Sequence, residues 1–473
     1  MRDRYDAVVV GAGPNGLAAA ITLARAGRSV KVLERASEVG GGTRTDELTL
    51  PGFRHDVCSA IHPLAIASPF FKAIPLADFG LRFVHPGVPL AHPLEDGSAA
   101  VLARSIEAST DSFPADGDAY EKLMRPLVEH ADDLVADALG PLRVPRHPFV
   151  MARFGPLGLR SVVDLALSRF ETNQARAMFA GMGAHSMLRL EQRLTAGVAL
   201  LLGILGHAYG WPIPVGGSDA ITNAMARYLE SLGGEIETDH PVEDLDGLPP
   251  ADLVVMDVTP RQLVQIAGKR LSKGYLRSLR RFRYGPGVFK VDLALDGPIP
   301  WTAHVCSTAG TVHVGGSLPE IASSEASVVS GRHPERPFVL VAQQSMFDDI
   351  RAPAGRHTVW AYCHVPIGSS EDMTERIESQ IERFAPGFKD RIIGRHTIDP
   401  AQLEAYNPNY IGGDINGGVQ DIRQHFARPM FRLRPYSTSD RGIYICSSST
   451  PPGGGVHGLC GHFAAQAVMR KRR

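Results

Sequence analysis

The sequence predicts an α/β fold. A parallel-sheet nucleotide-binding domain is assembled discontinuously, and a mixed substrate domain with a helical insertion grows out of it. Three observations carry this reading. The apolar run 7–10 ends in glycine and opens an alanine- and leucine-rich helical stretch at 14–26, as a buried parallel strand and its crossover helix do. The same strand-and-helix texture returns at 212–268 and at 442–467. Between these pieces the texture changes. Residues 63–210 are proline-punctuated with long helical stretches (116–139, 159–182, 191–207), and 275–435 alternate like strands around one helix at 373–384. The expected domains are therefore 1–62, 212–270 and 436–473 for the nucleotide, and 63–211 and 271–435 for the substrate.

Composition bounds the function. The chain has 473 residues, 44% hydrophobic and 21% charged, enough for two or three domains. With 49 basic against 50 acidic groups, it lacks the basic excess of a nucleic-acid binder. Five cysteines without a CxxC pair indicate neither a zinc site nor a disulfide framework, so no metal is expected and a reducing, cytoplasmic location is. The N-terminal stretch does not read as a signal peptide. The longest apolar run, 196–206, falls short of the ~20 residues of a membrane span. The terminal Arg470-Lys471-Arg472-Arg473 reads first as a solvated tail and second as a peripheral contact with anionic lipid.

In chain order, the strand at 7–10 meets Gly11-Ala12-Gly13-Pro14-Asn15-Gly16, a G-x-G-x-x-G turn that opens the helix. Gly11 permits the turn, Gly13 lets backbone approach a pyrophosphate, and Gly16 lets helix and strand close up. The strand 29–33 ends at Glu34, beside Arg35 and 18 residues past Gly16. An acid there takes ribose hydroxyls. A second glycine patch, Gly40-Gly41-Gly42, follows with Arg44 behind it. A nicotinamide dinucleotide does not need this patch; a longer one such as FAD does. Only one such strand–turn–helix unit is read, so NAD(P)H is not expected as a second tightly bound nucleotide.

Here the chain resembles the amine oxidase and phytoene desaturase superfamily of FAD-dependent oxidoreductases, in which the acid is followed by a Gly-Gly doublet. The C-terminal stretch 443–458, with Ser447, Gly454, Gly455 and Val456, is similar to the terminal flavin motif of phytoene desaturase-like proteins. Asn407-Pro408-Asn409-Tyr410, Gly412-Gly413-Asp414 and Arg428-Pro429 look like the same subgroup. The resemblance implies a Rossmann-like domain binding FAD without a covalent link. It places a backbone contact to adenine at Val242 and puts Ala60 and Ile61, beyond Pro51-Gly52-Phe53-Arg54-His55-Asp56, near the ring. Two departures stand out. The position after the doublet, arginine in many members, is Gly42, so Arg44 is expected to take over its phosphate contact. Ala251 comes only nine positions after Val242, too few for the usual β-hairpin.

Two catalytic candidates remain. Lys290 lies in an alternating run in which Phe289, Val291, Leu293 and Leu295 share one face. It resembles the amine-oxidase lysine that holds a water at flavin N5; the alternative is a lysine facing solvent. His457 follows the glycine loop and either lines the site or caps the next helix. The resemblance implies a flavin enzyme acting on C–H bonds of a largely apolar, isoprenoid or carotenoid-like substrate by desaturation, ketolation or saturation, with the electron acceptor open. The alternatives are a flavin amine oxidase and a non-catalytic lipid or prenyl carrier of the same fold.

Overall fold

The computed structural model describes residues 4–471. The strands of its two main sheets are, in chain order, β1 (Tyr5–Val10), β2 (Val30–Leu33), β3 (Val88–Pro93), β4 (Ala99–Leu102), β5 (Glu235–Glu237), β6 (Ala251–Met256), β7 (Gly287–Leu295), β8 (Ala309–Val314), β9 (Val339–Ala342), β10 (His357–Val365), β11 (Ile392–Ile398) and β12 (Ile443–Ile445). The helices that position the site are α1 (Pro14–Ala24), α2 (Asn173–Ala184), α3 (Thr195–Ala208), α4 (Asp219–Ser231), α5 (Leu318–Val329) and α6 (Leu459–Lys471).

The first sheet runs β12-β6-β1-β2-β5, with every pairing parallel. Its strands come from three distant stretches because β1 is apolar on both faces and needs a parallel neighbour on each side. Helices α1, α4 and α6 bury their apolar faces against one side of it. The chain passes from β5 to β6 without a further strand, so the sheet lacks the hairpin that the short 242–251 excursion rules out.

The second sheet is mixed, in the order β11-β7-β10-β9-β8-β3-β4, with β8 and β3 parallel and the remaining pairs antiparallel. Its outer face packs Phe289, Val291, Leu293 and Leu295 against the helix Thr374–Glu382. Its inner face, with Trp360, Tyr362, Leu340 and Val288, meets the helical insertion in one core. The long helices expected at 116–139 and 159–182 are each interrupted. Asp116 accepts from the backbone N–H groups of Glu171 and Thr172, and Thr172 caps α2 by accepting from Ala175 N–H at 3.3 Å. Such local side-chain bonds end one helix and start the next.

Among the described residues no helix is long and apolar enough to cross a membrane, no group of three or more His, Cys, Asp or Glu could hold a metal ion, and all five cysteines are free. Arg472 and Arg473, which the lipid-contact reading includes, lie outside the described residues.

Candidate active site

The glycine turn forms the floor of the site. Gly11, at the end of β1, has φ +101°, and a Cβ there would stand 3.1 Å from Cβ of Asp257 at the end of β6. Only glycine combines that dihedral with that approach. Gly41 has φ +57°, and a Cβ on it would sit 3.0 Å from Cα of Gly13. The two glycine patches therefore face each other across a gap without side chains, over the N-terminus of α1, where backbone N–H groups favour an anion. Gly16 and Gly40 stand behind this surface. Gly16 N–H donates to Asp257 Oδ2 at 2.8 Å, and Gly40 N–H donates to the Ala12 carbonyl at 3.0 Å.

Glu34 is buried, and its carboxylate accepts from Ala12 N–H at 2.8 Å and Ala36 N–H at 3.0 Å. Arg44 pairs with Glu34 at 3.3 Å and donates to the Glu38 carbonyl at 2.9 Å. It is thus tied to the acid of the fingerprint, while its guanidinium also lies over the Tyr406 ring at 5.4 Å. Where many relatives have arginine, a side chain on Gly42 would run into the Tyr410 hydroxyl. Tyr410 explains the departure from the common pattern.

Asp257 is a site residue that the sequence reading missed. Burial pushes its carboxyl up to about 7, against the Gly16 N–H that favours the anion. A raised acid pKa stabilises the folded chain below the unfolded value near 3.8, and that contribution is lost as pH rises through about 7. Asp257→Asn keeps an oxygen for Gly16 and removes the charge. The apoprotein of this variant is expected to melt several degrees higher than wild type at pH 8.5 and no higher at pH 4. Equal melting temperatures at pH 8.5 would show that the carboxyl carries no such penalty.

A continuous cavity of about 1070 Å³ opens from this floor. All the cofactor candidates except Gly16 and Gly40 face it: Gly11, Gly13, Pro14, Asn15, Glu34, Arg35, Gly41, Gly42, Arg44, Ala60, Ile61, Val242, Ser447, Gly454, Gly455 and Val456. Asn15 Oδ1 is buried there without a partner. The volume exceeds the ~300–1,000 Å³ of a typical single-ligand pocket. A glycine cradle, a ribose-type acid and an orphaned amide oxygen fit FAD, with room beyond it. That further room is walled by Leu188, Leu201, Trp211, Leu340, Trp360 and Tyr362; the last two rings meet edge-on at 5.0 Å. The acidic lining groups are Glu34, Glu243 and Asp257 at the nucleotide end and Asp137 in the helical insertion, where Asp137 already accepts from Arg146 and His147 N–H.

Neither catalytic candidate lies on the cavity wall. Lys290 shares the inner face of the second sheet with Tyr362 and Trp360, opposite which Lys290 and Asp292 register. That face is not solvent: Lys290 is 2% exposed and forms an ion pair with Asp292. His55 and His396 approach the same carboxylate at 3.6 and 3.7 Å. Burial alone would raise the Asp292 carboxyl, but Lys290 beside it holds it below the usual range; burial lowers His55 to about 4. The solvent-facing reading of Lys290 is corrected, and the cause is local. The segment around His55 folds over β7 and encloses its polar side chains in a charge cluster behind the wall. His457 is buried with Nδ1 accepting from Leu459 N–H at 3.0 Å. It therefore caps α6, and its ring does not line the cavity.

Residues 9–72 match the NAD(P)-binding Rossmann-like domain family. Over 99% of this chain and 94% of the relative, it is 25% identical to pyridine nucleotide-disulfide oxidoreductase domain-containing protein 2 of Rattus norvegicus. It is 31% identical to a limonene dehydrogenase subunit of Castellaniella defragrans, over 98% of this chain and 94% of that one. The chain belongs to the amine oxidase/desaturase family. It is an FAD-dependent oxidoreductase. Phytoene desaturase (neurosporene-forming) of Rhodobacter capsulatus is 25% identical over 98% of this chain and 93% of its own. An oxidoreductase from Methanosarcina mazei shares the fold, with a TM-score of 0.64 at 18% identity over 98% of this chain and 99% of that one. Within this oxidoreductase, Trp211, Trp360, Tyr362, Tyr406 and Tyr410 all face the cavity, although the sequence alone assigned none of them to the site.

Proposed function

We propose that the enzyme binds FAD non-covalently and transfers hydride between it and a C–H bond of a largely apolar, isoprenoid-like small molecule, in a desaturation, ketolation or saturation. One observation carries the reading: the cavity joins the glycine cradle to an apolar and aromatic wall that offers no free carboxylate for an ammonium group. The relatives named for limonene and phytoene support it. Bound FAD supplies a two-electron acceptor or donor. The chain's own residues hold the substrate against Trp360 and Tyr362 and exclude water. Leu142 and Phe426, both on the cavity lining and exposed, give an apolar substrate an entry.

The nucleotide domain is assigned to 1–62, 212–270 and 436–473, with 63–211 and 271–435 forming the substrate domain. A cytoplasmic location with peripheral membrane contact accords with an apolar substrate. Under anaerobic conditions, limonene, squalene or phytoene is expected to bleach the flavin, or to reoxidise the reduced form. Putrescine and cyclohexylamine are expected to do neither. Bleaching by the amines alone would replace this reading with the amine oxidase one, and a flavin inert to all of them would favour the carrier. NADPH is expected to reduce the flavin slowly and without saturation at low concentration. Acid precipitation should release all of the yellow colour.

A further inference from the structure

Three histidines from distant parts of the chain meet behind the substrate half of the cavity, with a fourth beyond a phenylalanine ring. His185, just past α2, faces the cavity. Its Nε2 lies 3.0 Å from Nε2 of His313 on β8, which is fully buried. His92 on β3 donates from Nε2 to the Gly316 carbonyl at 2.7 Å, which leaves its Nδ1 as a lone pair. Nδ1 of His313 and Nδ1 of His92 are both buried without partners. Both point at Gly181 of α2, where a Cβ would stand 2.7 and 3.3 Å from them. His364 on β10 pairs with Glu325 of α5 at 2.9 Å and is separated from His313 by the Phe338 ring. Tyr362 borders His364 at 5.8 Å. These are the titratable groups around the pair.

An apolar wall gains nothing from imidazoles whose nitrogens go unpaired, since each buried orphan costs about 1–3 kcal/mol. Phenylalanine would fill the same space. The Nε2–Nε2 contact requires one ring to donate and the other to accept. Burial lowers His185 to about 3 and His313 well below its usual value, so both rings are neutral near pH 7. Either ring can donate in this contact; in one of the two assignments His185 donates from Nε2 to His313 Nε2 and keeps a lone pair on Nδ1. His313 then carries its proton on Nδ1, which lies near Gly181, as Nδ1 of His92 does, without a hydrogen bond between them.

We propose that His185 exchanges a proton with the substrate through Nδ1, with His313 behind it as a positioning residue. The proposal rests on the dehydrogenation reading above. When a CH–CH unit is oxidised to C=C, one hydrogen leaves with its bonding pair as hydride to the bound FAD, which is reduced. The neighbouring C–H bond breaks, its pair becomes the new π bond, and its proton goes to Nδ1 of His185. His185 keeps its Nε2 proton donated to His313 and releases the Nδ1 proton into the cavity after the product leaves. Saturation runs the same steps backwards.

The test is nitrogen-15 NMR of the FAD-loaded protein with labelled histidine. His185 is expected to be protonated on Nε2 and bare on Nδ1 from pH 6 to 9. His313→Phe keeps ring and volume, and should convert His185 to a mixture of tautomers at unchanged flavin content. His185→Gln, on the cavity wall, should slow single-turnover bleaching by the fastest isoprenoid by ~10²-fold or more, with partial rescue by added imidazole. A proton on His185 Nδ1 in wild type, or a His185 signal unmoved by His313→Phe, overturns the proposal. So does bleaching within twofold of wild type in His185→Gln. If no isoprenoid bleaches the wild-type flavin, the functional reading fails, while the tautomer result still decides whether His313 positions His185.

Discussion

Replacing Glu34 by alanine is expected to weaken FAD binding by ~10²-fold or more, because a charged acceptor contributes about 1.5–3 kcal/mol to each hydrogen bond it makes. The same change removes two internal bonds, from Ala12 N–H and Ala36 N–H. It also leaves Arg44, 7% exposed at its side chain, without the Glu34 half of its ion pair. Apoprotein stability should therefore fall as well. Glu34→Gln separates the two effects. Its amide oxygen can still accept from Ala12 and its shape is kept, but the charge that holds Arg44, and that the ribose assignment requires, is gone. Titration of each apoprotein with FAD, followed by flavin fluorescence, should rank wild type above Gln and Gln above Ala. An unchanged dissociation constant in Glu34→Ala would remove the ribose assignment, whatever happens to the melting temperature.

The placement of Glu34 was legible because it is fixed locally. A strand, a glycine turn and a helix together decide where an acid at the end of the next strand must lie, and all of this falls within residues 5–34. The second glycine patch was legible for the same reason. Asp257 was within reach: it follows the apolar run of β6 directly, and an acid at the carboxyl end of a strand beside the glycine turn is a signal in itself. The contact of Tyr410 with Gly42 was not, because it joins residues far apart in the chain.

Lys290 shows the limit more sharply. The alternation correctly separated Phe289, Val291, Leu293 and Leu295 from Lys290 and Asp292. It said nothing of what covers the second face. That depends on where the segment around His55 and strand β11 come to rest, and no periodicity encodes it. The histidine wall is a stronger instance. Positions 92, 185, 313 and 364 have no motif spacing, and only the parallel pairing of β3 with β8 and the docking of α2 bring three of them together.

Arg351→Met is expected to be among the most destabilising single changes outside the cavity. Arg351 is fully buried and donates to Asp56 and Asp348, each at 3.0 Å. Asp56 also accepts from Ser218 N–H and the Thr45 hydroxyl, and Asp348 accepts from Gly216 N–H. The cluster thus fastens the stretch after the second glycine patch to the start of α4 and to the loop after β9, across the junction of the two sheets. Removing the guanidinium leaves two buried carboxylates without their counter-ion, a change that typically costs ~3–5 kcal/mol. The pH dependence follows from the sign of the shift. Burial works to raise the Asp56 carboxyl, and Arg351 overrides it and holds it below 3.8. In wild type this contribution is present at neutral pH and is lost only as pH falls below about 4. In Arg351→Met the orphaned carboxyls instead favour their protonated forms, so acid relieves the defect. The melting-temperature deficit should therefore be largest near pH 7 and shrink towards pH 4.5. Arg351→Lys, which keeps the charge but cannot bridge both carboxylates as a planar fork does, should fall between. A deficit of the same size at both pH values would mean that lost packing, not unpaired charge, sets the cost.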